Sequence, residues 1–238
     1  MNHISSATHR TDPARPRCTV VLLDVSLSME QTDWLPSRLE GAVGAFDQLL
    51  EVKERQYPDD YVGLVAFSDV AKMRHPLIRI GGNAFSLKAA ARGIVTGPST
   101  AITDGLISAY ALLSGHSIAE PSPAPVSGIR TPAPSGAMPV LALAGVAMPD
   151  PVRQIILLTD GEHNQGPDPV PYALELKRAG VVIDVLGIGT ATSLDQTSLR
   201  EIASPKLDGT PSYSFIGDPE ELGDEMRRLA HHHLKPLR

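Results

Sequence analysis

Asp24, Ser26 and Ser28 stand at every second position of the stretch LLDVSLSME, directly after an apolar run. In an extended segment residues two apart project to the same side, so the three line one wall with a carboxylate and two hydroxyls. Hard divalent cations take oxygen ligands; Mg²⁺ asks for about six, commonly one or two carboxylates with neutral groups and waters completing the shell. A second carboxylate, Asp160 in LLTDGE, and a further hydroxyl from PSTAITDGL would complete such a set.

The elements that must carry these residues can be read from the pattern. CTVVLL, Cys18 to Leu23, is β-branched and unbroken, as a strand covered on both faces would be, and it stops at Asp24. Pro36 is expected to open an amphipathic helix in which Leu39, Val43, Phe46, Leu49 and Leu50 keep a helical period to about Arg55. Tyr61 to Ser68 reads as a second strand and Ala71 to Ile80 as a third, paired with it as a hairpin. Helices follow at Ala84 to Ile94 and Ala101 to Ser114. Then come a strand from Arg153 to Asp160, a helix from Tyr172 to Arg178, a strand from Val181 to Gly189 and a short helix from Leu194 to Ala203. Ser212 to Gly217 is the last strand, and Pro219 opens the last helix.

This order predicts an α/β fold: a doubly wound, mostly parallel six-stranded sheet with one antiparallel edge strand and helices on both faces. Ligands of such sheets sit at the carboxyl ends of strands, where the strand order reverses. Asp24 and Asp160 each stand at the carboxyl end of a strand.

On these residues the chain resembles a von Willebrand factor A domain, the family that includes integrin inserted domains. DVSLS matches that family's DxSxS strand exit, GPSTAITDGL its loop threonine and LLTDGE its TDG-like turn, in the same order along the chain. The resemblance covers about Arg17 to His232 and implies a metal-ion-dependent adhesion site built from Asp24, Ser26, Ser28, Thr100 and Asp160. It further implies Mg²⁺ or Mn²⁺ bound directly by the hydroxyls, with the aspartates acting largely through waters. A partner's Glu or Asp carboxylate would take the open position. In integrin-type relatives the last helix slides to couple coordination to affinity; Pro219 to His232 is the matching element. Two departures stand out. Leu27 occupies a position where the family usually has Gly, and Ser99 one where Gly is common. Leu27 either adopts an ordinary β conformation or puts an apolar side chain on the rim of the site.

Other residues are weighed against plainer roles. Thr103 competes with Thr100, but it falls a turn into the helix, and Asp104 suits the positive end of that helix. His163 and Glu162 lie on a loop beyond the strand end and are expected to be solvated. His231, His232 and His233 fan around a helix instead of sharing a face, which disfavours zinc. GIGTAT from Gly187 lacks the third glycine of a dinucleotide fingerprint, and neither a GxxxxGK[ST] loop nor a GxSxG elbow occurs.

Composition bounds the function. Of 238 residues, 42% are hydrophobic and 20% charged, which suits one α/β domain with its own core. The net charge of −6 lacks the clustered cations that phosphates require, so no nucleic-acid partner is expected. Cys18 is the single cysteine, excluding an intrachain disulfide. Residues 1–16 read as a disordered lead-in with no secretory signal, residues 17–233 as one domain and residues 234–238 as a tail. Between Gly115 and Pro151 lie eight of the 21 prolines and three charged residues, the composition of an inserted loop or linker. Its apolar part, MPVLALAGVAMP, is too short to span a membrane.

Three readings follow. The first is a metal-dependent protein-interaction module that is not an enzyme. It would be cytoplasmic, similar to the intracellular bacterial members of the family, some of which work beside AAA ATPases or in chelatase complexes. The second is a Mg²⁺-dependent hydrolase of phosphorylated substrates using Asp24 and Asp160. The third is the same scaffold with an idle metal site.

Overall fold

The computed structural model describes residues 16–115, 151–161, 163–189 and 194–231. The expected lead-in over 1–15, the Pro-rich insertion over 116–150, Glu162, residues 190–193 (which include the end of the GIGTAT stretch), His232, His233 and the tail lie outside the described residues.

The strands are β1 (Arg17–Asp24), β2 (Tyr61–Phe67), β3 (Ala71–Arg79), β4 (Val152–Thr159), β5 (Val181–Ile188) and β6 (Tyr213–Ile216). The helices are α1 (Arg38–Gln56), α2 (Ala84–Ala91), α3 (Ile102–Leu113), α4 (Pro169–Arg178), α5 (Gln196–Ile202) and α6 (Pro219–His231), with a short 3-10 turn over Leu27–Glu30. One six-stranded sheet runs in the order β3-β2-β1-β4-β5-β6. Every neighbouring pair is parallel except β2 with β3, the antiparallel edge that the hairpin pattern implied.

Uninterrupted apolar strands need cover on both faces, and the helices supply it. Val21, Leu23, Ile156, Leu158, Leu186 and Ile188 pack with α1, α2 and α6, whereas Val20, Leu22, Ile155, Leu157, Ile183 and Val185 pack with α3, α4 and α5. The chain leaves β1 for β2 on one side and enters β4 on the other. The strand order therefore reverses between β1 and β4, and their carboxyl ends frame the crevice where this architecture places a ligand.

Several boundaries differ from the expectation. Helix α1 begins at Arg38, not Pro36: Pro36 follows a cis peptide bond, and Ser37 caps the helix by accepting from Glu40 N at 3.2 Å. Ser37-x-x-Glu40 has the form of a capping box, a signal that outranks the proline. Helix α2 stops at Ala91 before reaching Ile94. Helix α4 starts at Pro169, earlier than Tyr172, because Asp168 caps it and proline fits the first helical position.

Candidate metal centre

Asp24 is the last residue of β1 and is fully buried. Its Oδ1 accepts from Ser26 N at 2.8 Å and its Oδ2 accepts from Thr159 Oγ1 at 2.6 Å. Thr159 ends β4, and the pairing of Leu23 with Leu158 brings the two strand ends side by side. Both Asp24 oxygens thus hold the turn that presents the serines. Burial pushes the Asp24 carboxyl up to about 7, and the Asp160 charge pushes the same way; the Thr159 hydroxyl and the Ser26 amide pull against them.

The hydroxyls converge beyond that turn. Ser28 Oγ donates to Asp160 Oδ1 at 2.7 Å, and Ser26 Oγ lies 3.0 Å from Ser28 Oγ. Since Ser28 has given its one proton to Asp160, Ser26 donates in the second contact, and Ser28 keeps a lone pair free. Thr100 comes from the loop before α3. A Cβ added at Gly161 would stand 3.5 Å from Thr100 Oγ1 and 3.9 Å from Ser28 Oγ, so both hydroxyls face the same small space. Backbone ties hold the loops together: Gly97 N to Val25 O at 2.8 Å, Val25 N to Phe67 O at 2.8 Å and Ala101 N to Ser68 O at 2.7 Å. Gly105 lets α3 lie close on the sheet, since a Cβ there would meet Leu22 Cδ1 at 2.9 Å. The structure brings all five predicted residues to one crevice.

Three residues that sequence reasoning did not single out build the same site. Thr159 is the first. Asn164 is the second: its Oδ1 accepts from Thr100 N at 2.8 Å and its own N–H donates to Thr100 O at 3.2 Å, clamping the loop threonine from both sides. The third is Arg38, whose side chain is almost fully buried. Its Nη1 donates to Asp160 Oδ2 at 2.8 Å, while Nε and Nη2 grip Asp33, the closest contact being 2.7 Å. Burial opposes the guanidinium charge, but the hydrogen bonds to Asp33 and Asp160 outweigh it and hold the group above its ordinary value. Gly189, at φ +101°, makes room, because a Cβ there would stand 2.7 Å from Arg38 Cζ. The glycine that suggested a dinucleotide fingerprint is thus explained by a buried arginine. A signal for Arg38 existed: Arg38, Ala42, Phe46, Leu49 and Lys53 form one buried stripe of α1, with a charge at each end.

The remaining candidates fall elsewhere. Thr103 Oγ1 donates to Pro167 O and is turned away from the crevice. Asp104 lies in the first turn of α3 as expected. His163 is half-buried, keeping part of its surface in solvent while its Nδ1 accepts from Ile102 N at 3.2 Å at the start of α3 and its Nε2 lies 3.4 Å from Gly166 O. Leu27 adopts the 3-10 turn instead of a β conformation, with a negative φ, and its side chain is half-exposed at the rim. His231 sits 3.3 Å from Tyr57 Oη at the end of α6. Cys18 is free and half-buried, its thiol pushed up to about 11 by burial, so it is an unreactive packing residue.

Among the described residues no group of three or more His, Cys, Asp or Glu side chains is placed to hold a metal. The crevice is of another kind, with three hydroxyls and two carboxylates, an all-oxygen set that fits a hard divalent cation and not a thiolate-seeking one.

Two family models, each describing the von Willebrand factor type A domain, match residues 19–130 and 145–225. The chain belongs to the von Willebrand factor type A domain family, whose members serve in general as metal-dependent protein-interaction modules. Among solved structures, a von Willebrand factor type A protein from Catenulispora acidiphila is similar at 19% identity and a TM-score of 0.66, over 92% of this chain and 43% of that one. Proximal thread matrix protein 1 from the mussel byssus, solved with a zinc-occupied metal-ion-dependent adhesion site, is similar at 21% identity and a TM-score of 0.62, over 91% of this chain and 47% of that one. An uncharacterized protein, YabS, of Bacillus subtilis (strain 168) is 34% identical over 58 residues, 24% of either chain. The chain spans less than half the length of each of these relatives.

Proposed function

We propose that this chain is an adhesion module that uses a divalent cation, Mg²⁺ or Mn²⁺, to capture a Glu or Asp carboxylate of a partner protein. The observation that carries the reading is the Ser28 hydroxyl. Its proton is committed to Asp160, and its oxygen stands 3.0 Å from that of Ser26 and borders the same small space as that of Thr100. Ser26, Ser28 and Thr100 would hold the ion directly. Asp24 and Asp160, their oxygens engaged by Thr159, the Ser26 amide, Ser28 and Arg38, orient those hydroxyls and supply negative charge through them or through water. A cation held mainly by neutral oxygens keeps much of its charge for an incoming carboxylate, which makes a charge-assisted bond on arrival. Half-exposed Leu27 adds an apolar contact at the rim.

We place the module in the cytoplasm, with partners of the AAA ATPase-associated kind among those to test. Supporting that compartment is Cys18, the single cysteine of the sequence, half-buried and unpaired. No helix among the described residues is long and apolar enough to cross a membrane.

The test is Mg²⁺ and Mn²⁺ titration calorimetry on the wild type, Ser28→Ala and Thr100→Ala, followed by retention of lysate proteins in Mg²⁺ and in EDTA. The wild type should bind one ion, and each alanine variant should bind it at least about tenfold more weakly, a single lost ligand. Partner retention should follow the metal. Equal metal binding by all three proteins would defeat the assignment, and turnover of p-nitrophenyl phosphate abolished by Asp24→Ala would replace it with the hydrolase.

A further inference from the structure

Asp160 already has a cation. Its side chain is fully buried, and one of its oxygens is held by the equally buried Arg38 guanidinium at 2.8 Å. That guanidinium cannot easily move aside. Asp33 grips it through Nε and Nη2, the Gly189 backbone lies against its carbon, and Arg38 starts a helix whose cap is made by the preceding residue. Asp33 is exposed over a third of its side chain, so it screens Arg38 only in part, and the uncompensated remainder of the charge faces Asp160.

A divalent ion held by Ser26, Ser28 and Thr100 would approach the same carboxylate from the Ser28 side. Two cations then compete for one anion. We propose that Arg38 is a resident counter-cation that holds Asp160 out of the metal's inner shell. It thereby lowers the site's own metal affinity and leaves more of the metal's charge for a partner's carboxylate. This rests on the metal reading of the site and deepens it by naming the residue that sets the balance. Arg38 is a positioning residue, acting through Asp160 and touching neither metal nor partner.

The role carries a sign that plain scaffolding does not. If Arg38 merely kept the crevice in shape, its loss would weaken metal binding. If it competes with the metal, its loss leaves a buried carboxylate without the cation that paired it, the divalent ion takes that place, and binding tightens. Asp33→Asn acts in the opposite direction, because it frees the whole guanidinium charge for Asp160.

The experiment measures Mn²⁺ binding to the whole 238-residue chain as wild type, Arg38→Met and Asp33→Asn through the electron paramagnetic resonance signal of free Mn²⁺. Water-proton relaxation then counts the waters left on the bound ion. Arg38→Met should bind Mn²⁺ about tenfold or more tightly than wild type, with one water fewer as Asp160 enters the shell. Asp33→Asn, at an exposed position and expected to fold normally, should bind about two- to threefold more weakly. Weaker or equal Mn²⁺ binding by folded Arg38→Met, or an unchanged water count, overturns the proposal. Should Arg38→Met fail to fold, equal or tighter binding by Asp33→Asn overturns it just as well. Absence of Mn²⁺ binding by wild type would instead remove the metal reading on which both stand.

Discussion

Replacing Gly189 by alanine should unlock the centre from behind, through two separable costs. The backbone at this position has φ +101°, a region that side-chain-bearing residues rarely adopt, and forcing alanine into it costs about 1–3 kcal/mol. The new methyl would also stand 2.7 Å from Arg38 Cζ, 2.8 Å from Nη1 and 3.1 Å from Nε. The arginine is buried and tied to Asp33 and Asp160, so it cannot rotate away without breaking an ion pair, and overpacking of this kind adds about 1–3 kcal/mol. The expected total is about 2–6 kcal/mol, a large part of an ordinary domain's stability. Gly82 offers an internal control: its φ is +80°, yet nothing lies within 4 Å of an added Cβ, so Gly82→Ala should incur the backbone cost alone. Urea unfolding of both variants and wild type, in EDTA so that metal does not shift the equilibrium, reads the difference directly. If Gly189→Ala loses no more stability than Gly82→Ala, Arg38 is not held rigidly against that backbone, and the reasoning that links the glycine to the centre fails.

Two further outcomes can be checked in the same assay. Asp184 is buried, and burial raises its carboxyl above the ordinary range despite donors from Gln154 Nε2 at 2.7 Å and Ser212 Oγ. A carboxyl raised by folding contributes its stability below its unfolded value and loses it as pH rises through the folded one. Asp184→Asn should therefore gain on the wild type as pH is raised above the ordinary carboxylate range, and a pH-independent difference would contradict this. Lys53 and Asp60 form a buried ion pair at 2.8 Å, with Arg17 N donating to the other Asp60 oxygen at 2.9 Å. Lys53→Met should cost about 3 kcal/mol by stranding Asp60, and Lys53→Met with Asp60→Asn should recover most of it; a double variant no better than the single would refute the pair.

The sheet was legible because both of its signals are local. Unbroken apolar runs such as VVLL and IILL mark strands covered on both faces, and the hairpin between β2 and β3 announces the antiparallel edge. The crevice was legible from residue types and strand ends, which marked Asp24, Ser26, Ser28 and Asp160, although the extended segment assumed for the two serines is a 3-10 turn from Leu27, and that turn brings Ser28 beside Ser26. What escaped was everything set by a neighbour distant in sequence. Thr159 matters because β4 lies in register with β1, which is known only after the strand order is known. Asn164 and His163 read as loop residues until α3 is laid against them. Arg38 was overlooked because a charge near a helix start usually faces water. Only its place on the same stripe as Phe46 and Leu49 betrays it.

The buried hydrogen bonds of the sheet also bear on how its strands find their alignment. Thr19 of β1 donates to Gln154 of β4 at 3.1 Å, Gln154 donates to Asp184 of β5, and Ser212, just before β6, donates to Asp184 in turn. The chain of donors and acceptors runs across β1, β4 and β5 to the residue that leads into β6, among neighbours that are mostly apolar. A slip of any one strand by a single residue would turn its polar group to the opposite face, into the hydrocarbon beneath α3, α4 and α5, and leave its neighbours without partners. Apolar side chains at adjacent positions of these strands are close to interchangeable in size and would tolerate several alignments. The polar row tolerates one, acting as a vernier that brings the ends of β1 and β4 level and so sets Asp24 beside Thr159, with Asp160 one residue further on.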